Sequence, residues 1–304
     1  MIKHYIKDTD FSPVQIKQVL DLAADIKHNP QNYRSALKNK NVALLFEKAS
    51  LRTKFTLQIG VHEMGGFTVL NDGRIPDREP IKDIARNLER WTDAVVARVY
   101  SQSSLEELAK YSSVPVVNAL SNLYHPCQIL ADMLTLQEHF GKLKGLKLSF
   151  VGDGNNVANS LMLTSAALGL DFRIATPKNY EPDPKIVLAA KKLNAKSRGR
   201  LNISNNINQA VKSANVIYTD TWVSMGEEAE ADVRLQAFKN YQVTEKMFKG
   251  AAKEAVFMHC LPKHPNQEVG DEVFESKRSL VFEQAENRLH TIKAVLVYLL
   301  QASS

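Results

Sequence analysis

Val42-Ala-Leu-Leu-Phe46 runs directly into Glu47-Lys-Ala-Ser-Leu-Arg-Thr-Lys54. An apolar stretch of strand length thus breaks into a polar turn, and a helical pattern follows at once. That succession predicts a buried parallel strand feeding the first turn of a helix. The unpaired backbone N–H groups of such a turn point forward, and the aligned peptide dipoles favour negative charge in front of them. Ser50 and Thr53 add hydroxyls, and Arg52 adds a planar fork that suits two phosphate oxygens. No Gly-rich Walker loop with a following Gly-Lys-Ser/Thr is present, so the stretch reads as a site for a small phosphorylated molecule rather than a nucleoside triphosphate. An ordinary helix N-cap fits the same residues equally well.

Outward from this stretch the pattern repeats. Ser12-Pro13 opens an amphipathic helix to about His28. Strands are expected at Val42–Phe46, Thr68–Leu70, Ala94–Arg98 and Val114–Asn118, with helices near 53–64, 80–91 and 104–112. A long helix from about Cys127 to Phe140 leads into a second series, with strands at Lys147–Gly152, Asp171–Thr176, Val216–Thr219 and Ala255–His259 and a last helix from Glu286 to Leu300. Strands alternating with helices predict an α/β protein of two doubly wound domains with parallel sheets, its active site in the cleft between them. The chain has 304 residues, which suits two cores of domain size.

Composition excludes several classes. No apolar run reaches the ~18 residues of a membrane span, and the N-terminus lacks a signal-peptide core, which predicts a soluble, cytoplasmic protein. Two cysteines, Cys127 and Cys260, make no disulfide framework. The net charge of +6 invites a nucleic-acid reading, but the densest basic stretch, Lys185 to Arg200, has apolar residues at helical spacing and no interleaved aromatics, so it reads as one solvated helix. A basic balance also suits anionic substrates.

Unusual polar residues gather at predicted strand ends: Ser50, Arg52 and Thr53; Arg98; His125 and Gln128; Asn155 and Asn156; Asp220; His259 and Cys260. Val151-Gly-Asp-Gly-Asn-Asn-Val157 begins like a dinucleotide fingerprint, which makes an NAD-dependent oxidoreductase the rival reading. Val157 stands at its third glycine position and no acidic residue ends the next strand, and both departures argue against it. Asn155 and Asn156 then become candidate donors to a small polar substrate. His259 and Cys260 are adjacent on a strand and face opposite ways, which disfavours both a cysteine-hydrolase pair and a zinc site.

Ser50-Leu-Arg-Thr53, Arg98, His125-Pro-Cys-Gln128, Asp220-Thr-Trp-Val-Ser-Met-Gly226, His259-Cys-Leu-Pro262 and Glu286-Asn-Arg288 occur in this order over essentially the whole chain. The set resembles the motifs of ornithine carbamoyltransferases. The resemblance implies transfer of the carbamoyl group of carbamoyl phosphate to the side-chain amine of L-ornithine, giving L-citrulline and phosphate, in arginine biosynthesis and with no metal or organic cofactor. It implies a carbamoyl phosphate domain of residues 1–137 with the terminal helix 288–304, and an ornithine domain of residues 138–287. It assigns Ser50, Leu51, Arg52, Thr53, Arg98, His125, Gln128, Cys260, Leu261 and Arg288 to carbamoyl phosphate, and Asn156, Asp220, Ser224 and Met225 to ornithine. Arg98, His125, Asp220 and Cys260 become the catalytic set. A homotrimer or multiple of trimers is implied, with neither nucleic acid nor membrane as partner. Two departures stand out: Leu51 where many members carry threonine, and Asn71-Asp-Gly-Arg-Ile-Pro76 where relatives carry a Gln-x-Gly that reaches a neighbouring subunit. A transcarbamoylase for another amine and a non-catalytic phospho-ligand binder are the alternatives.

Overall fold

The computed structural model describes residues 4–75, 79–224 and 226–301. They form two compact units, one of residues 4–134 with 286–301 and the other of residues 135–285. In the first unit α1 (Pro13–His28) opens with Ser12 as N-cap, its hydroxyl accepting from Gln15 N–H while Gln15 accepts from Ser12 N–H. Then come β1 (Asn41–Phe46), α2 (Arg52–Glu63), β2 (Phe67–Asp72), α3 (Ile81–Trp91), β3 (Ala94–Arg98), α4 (Gln102–Tyr111) and β4 (Val116–Leu120). The four strands are parallel in the order β2-β1-β3-β4. β3 and β4 are buried throughout, as strands covered on both faces should be, whereas β2 at the edge is largely exposed.

α5 (Pro126–Phe140) carries the chain into the second unit, which contains β5 (Lys147–Val151), α6 (Asn156–Leu168), β6 (Asp171–Ala175), α7 (Pro184–Ser197), β7 (Arg200–Ser204), α8 (Ile207–Val211), β8 (Val216–Thr219), α9 (Ala231–Phe238), α10 (Glu245–Phe248), β9 (Val256–His259) and α11 (Asp271–Phe274). Its five strands are parallel in the order β7-β6-β5-β8-β9. α12 (Val281–Gln301) then returns the chain to the first unit. There Lys27 Nζ donates to Asn287 at 2.8 Å, Gln15 donates to the Tyr298 hydroxyl at 3.1 Å, and Lys293 pairs with Glu63.

Each sheet reverses its strand order once. After β1 the chain first adds β2 on one side and then β3 on the other; after β5 it adds β6 and β7, then returns to place β8 beside β5. Where successive crossovers part to opposite sides, a crevice is left at the carboxyl ends of the two diverging strands. Those ends carry the polar turns after β1 and β3 in the first unit, and after β5 and β8 in the second.

The structure corrects several boundaries. The basic helix ends at Ser197, with Arg198 in the left-handed region at φ 65°, and Arg200 opens a strand instead. That strand, β7, was absent from the sequence expectation because Arg200-Leu-Asn-Ile-Ser204 is a half-exposed edge with one weak alternation. β4 starts at Val116 rather than Val114, after Pro115, and α12 begins five residues before Glu286.

The glycines of Val151-Gly-Asp-Gly have packing roles. Gly152 has φ +151°, and a Cβ on Gly154 would lie 2.4 Å from the Pro182 nitrogen and 2.7 Å from the Tyr180 carbonyl oxygen. Because the crowding atoms are backbone, Gly154→Ala is expected to destabilise the protein by about 1–3 kcal/mol, read as a lower urea midpoint.

Candidate active site

At the reversal of the first sheet the N-cap reading of Ser50 and Thr53 can be decided. The N-cap of α2 is Leu51, and no side chain caps the helix. Thr53 instead faces the last helix, its Oγ1 accepting from Arg288 Nη2 at 2.5 Å. Arg98 ends β3, where the pairing with β4 slips by one residue at Ala97/Arg98 and Arg98 lies opposite Leu120. Such a bulge re-aims the side chain at the strand end. Glu47, not singled out from sequence, holds the two flanking loops: its carboxylate accepts from Ile75 N–H at 3.0 Å and from Tyr100 N–H at 2.8 Å.

His125 precedes α5 and its carbonyl accepts from Gln128 N–H at 3.0 Å. Its ring is buried, and its pKa is pushed well below the ordinary histidine value, first by burial and then by the guanidiniums of Arg288, Arg98 and Arg52. His125 is therefore neutral, and three arginines bear on one point. Gln128 is 1% exposed and donates through Nε2 to Asp132 Oδ1 at 2.9 Å. Cys127 donates to the Asn118 carbonyl at 3.3 Å, and burial raises its thiol pKa to about 12, so it is a packed, unreactive thiol. Leu51, by contrast, is exposed, so only its backbone faces the turn's business.

At the reversal of the second sheet Asp220 follows β8. Its Oδ1 accepts from Cys260 Sγ at 3.0 Å and its Oδ2 from Asn155 Nδ2 at 2.8 Å. Asn155 also N-caps α6, its Oδ1 accepting from Val157 N–H and Ala158 N–H. Asn155 thus divides its amide between the cap and Asp220, one N–H going to the carboxylate. Asn156 is the first residue of α6 and half-buried. His259 ends β9 with both ring nitrogens engaged, Nδ1 accepting from Leu261 N–H at 2.8 Å and Nε2 facing Glu268 Oε1 at 3.0 Å. Since Nδ1 accepts, the proton sits on Nε2. Burial would raise the Glu268 carboxyl, but its bonds from His259 and His264 outweigh that and hold it below the ordinary value. Asp220, His259 and Cys260 place ligand-type atoms within 4.8 Å of one another, yet a metal would have to break a His259 hydrogen bond to use that ring. Leu261 has φ 60°, the left-handed region.

The loop after Asp220 is held by a buried arginine that sequence reading missed. Arg234 on α9 donates to Asp153 at 2.9 Å and to the Trp222 carbonyl at 3.2 Å, and it pairs with Glu227 at 2.8 Å. Glu227 in turn accepts from Ser224 N–H at 3.2 Å. Met225 and Pro76 lie outside the described residues, and Arg74 is exposed with its guanidinium 5.8 Å over the Tyr100 ring.

The family profile described as the aspartate/ornithine carbamoyltransferase carbamoyl-P binding domain matches residues 3–138, and the Asp/Orn binding domain matches residues 144–299. The chain belongs to the aspartate/ornithine carbamoyltransferase family. It is 44% identical to an ornithine carbamoyltransferase of Archaeoglobus fulgidus over 100% of this chain and 99% of that one. It is 48% identical to the mitochondrial ornithine carbamoyltransferase of Aquarana catesbeiana over 96% of this chain and 85% of that one. The solved ornithine carbamoyltransferase of Pyrococcus furiosus superposes with a TM-score of 0.94 at 42% identity, covering 97% of this chain and 96% of that one. In this carbamoyltransferase chain, Arg288 falls within the span of the second profile but belongs spatially to the first unit, because α12 folds back.

Asp153 supplies a pH test. Burial, only partly countered by Arg234, raises its carboxyl pKa from 3.8 to about 6. A raised acid binds more protons folded than unfolded, so this group costs stability as pH rises from about 4 to about 6. Asp153→Asn cannot titrate. The wild-type melting temperature minus that of the variant should therefore fall across that window and level off above about pH 7, as measured by thermal scans in one buffer series.

Proposed function

We propose that the chain is an ornithine carbamoyltransferase, joining carbamoyl phosphate and L-ornithine to give L-citrulline and phosphate. The observation that carries the reading is the convergence of Arg52, Arg98 and Arg288 on a neutral His125. Three guanidiniums acting on one buried ring suit a multiply charged anion, because phosphate oxygens accept from such forks in pairs. Ser50, Leu51, Arg52 and Thr53 hold the phosphate through hydroxyls, backbone N–H groups and the guanidinium. Arg98, His125, Gln128 and Arg288 hold the carbamoyl group, and Cys260 and Leu261 are assigned to the same substrate. Asn156, Asp220, Ser224 and Met225 hold ornithine.

The side-chain amine must be neutral to attack, whereas a free alkylamine has a pKa near ~10.4. Positive charge from the arginines and exclusion of water both favour the neutral form. Its lone pair forms the new C–N bond at the carbamoyl carbon. Arg98 and His125 stabilise the oxygen anion that develops there, His125 as a neutral donor. The C–O bond to phosphate then breaks, phosphate leaves with the electron pair, and the nitrogen loses its proton. Asp220, tied to Cys260 and Asn155, orients the amine and takes part in handling that proton; the Cys260 thiol is its hydrogen-bond partner. An acyl phosphate is a higher-energy donor than the ureido product, so the reaction favours citrulline, the direction that serves arginine biosynthesis.

The protein acts as a homotrimer in this reading. Leu51, Phe55 and Ile59 form an exposed apolar stripe at four-residue spacing along α2, and Phe67 and Val69 are exposed on the adjoining edge strand β2. A second copy of the chain covers such a surface. Among the described residues no helix is long and apolar enough to cross a membrane.

Arg52→Ala is expected to abolish citrulline formation with an unchanged circular dichroism spectrum, and near-normal turnover would sink the reading. Asp220→Ala should raise KM for ornithine at least tenfold more than KM for carbamoyl phosphate, on the order of one lost charged hydrogen bond; equal rises would remove Asp220 from the amine site. Sedimentation should give three chains per particle, and Phe55→Glu should lower that number.

A further inference from the structure

Gln128 and Asp132 sit one turn apart on α5, both buried, and the Gln128 amide gives its N–H to Asp132 Oδ1 at 2.9 Å. The other end of the same amide, Oε1, is buried with no hydrogen-bond partner among the described residues. A buried acceptor left empty is uncommon and needs a reason. Its setting is the first turn of α5, where Gln128 N–H donates to the His125 carbonyl at 3.0 Å, and the His125 ring is acted on by three guanidiniums that carry donors only. A carbamoyl group differs from other acyl groups in its NH2, which has two N–H bonds to place. In surroundings of donors, an inward-facing carbonyl oxygen is what that NH2 lacks.

A glutamine amide is nearly symmetric in shape, so something must decide which end faces the ligand. Asp132 Oδ1 is an acceptor and takes the N–H end. We propose that Asp132 is a positioning residue that turns the Gln128 carbonyl oxygen toward the carbamoyl NH2 and so makes the site prefer carbamoyl phosphate over acyl phosphates that lack the NH2, such as acetyl phosphate. The proposal rests on the assignment of Gln128 to the carbamoyl group.

The test compares the binding of carbamoyl phosphate, acetyl phosphate and inorganic phosphate by calorimetry. Asp132→Leu frees the amide to turn. It should weaken carbamoyl phosphate on the order of tenfold to a hundredfold, leave acetyl phosphate and phosphate within about threefold, and raise KM for carbamoyl phosphate more than it lowers kcat. Equal losses for all three anions would make Asp132 a packing residue and overturn the proposal. Because removing a buried carboxylate can unfold the unit, the exchange of the two groups supplies a second measurement. Gln128→Glu sets two carboxylates side by side and should abolish the preference for carbamoyl phosphate. Adding Asp132→Asn restores a donor at position 132 and leaves one carboxylate oxygen inward, so the Q128E/D132N protein should regain at least tenfold of the carbamoyl-to-acetyl ratio over Q128E. No recovery would overturn the proposal. Gln128→Ala separates the two levels: unchanged carbamoyl phosphate binding in that variant would overturn the assignment of Gln128 itself, whereas a loss there with no effect of the Asp132 variants overturns only the positioning role.

Discussion

The reversal of strand order, once in each sheet, is the constraint on which the rest of the molecule depends. Parallel strands send all their crossovers from the same end, so connections normally close over the carboxyl edge. Between β1 and β3, and again between β5 and β8, the chain leaves in opposite directions and the edge stays open. Residues next to those strand ends are fixed by buried, fully paired backbone, while their side chains need no apolar partner. Ser50 to Thr53 and Arg98 occupy one such edge; Gly152 to Asn156 and Asp220 occupy the other. Precision comes from the sheet and chemistry from the turns, and neither has to compromise the core.

Electrostatics then distinguishes the two edges. In the first unit burial, and after it the guanidiniums of Arg288, Arg98 and Arg52, keep His125 neutral in surroundings that favour negative charge. The cost of gathering like charges is thus a measure of what the site is built to receive. In the second unit the pattern inverts. Asp220 is shielded by two donors, Asn155 and Cys260, and the helix terminus that would greet a dinucleotide pyrophosphate is already capped by Asn155. Of the glycines that mimic a dinucleotide fingerprint, Gly152 serves a positive φ and Gly154 is there because the chain at Tyr180 to Pro182 passes too close for a Cβ. One edge gathers positive charge, and the other holds a carboxylate between two donors.

Legibility in the sequence followed the same division. β1, β3 and β8 were readable because each is a short, largely apolar run next to a polar turn, and burial on both faces imposes that composition. β7 was not, since an edge strand with alternating exposure resembles the tail of the preceding helix. Residues at strand ends were readable as polar anomalies after apolar runs. Asp132, Glu47, Arg234 and Glu268 were not, because each lies within or beyond an ordinary helix or loop and acquires meaning only from a partner that folding brings near: Gln128, the Ile75 and Tyr100 amides, Asp153, and His259. A buried polar pair leaves no local period in the sequence, which is why supporting residues escape where contacting ones do not.

The pairings around Cys260 decide what its thiol does. A nucleophilic cysteine needs a base to take its proton, and the adjacent histidine is the obvious candidate. His259 cannot serve, since its Nδ1 receives the Leu261 N–H and its Nε2 gives its proton to Glu268. The thiol instead points at Asp220, to which it donates. A carboxylate that accepts from the thiol gains nothing from its ionisation, because two negative charges 3.0 Å apart would repel. The contact favours the thiol over the thiolate, and a protonated sulfur beside Asp220 can shape and desolvate an amine without competing with it for the acyl carbon. With Cys260 held as a thiol donor to Asp220, the incoming amine attacks the carbamoyl carbon directly and no enzyme-bound carbamoyl intermediate forms on that sulfur.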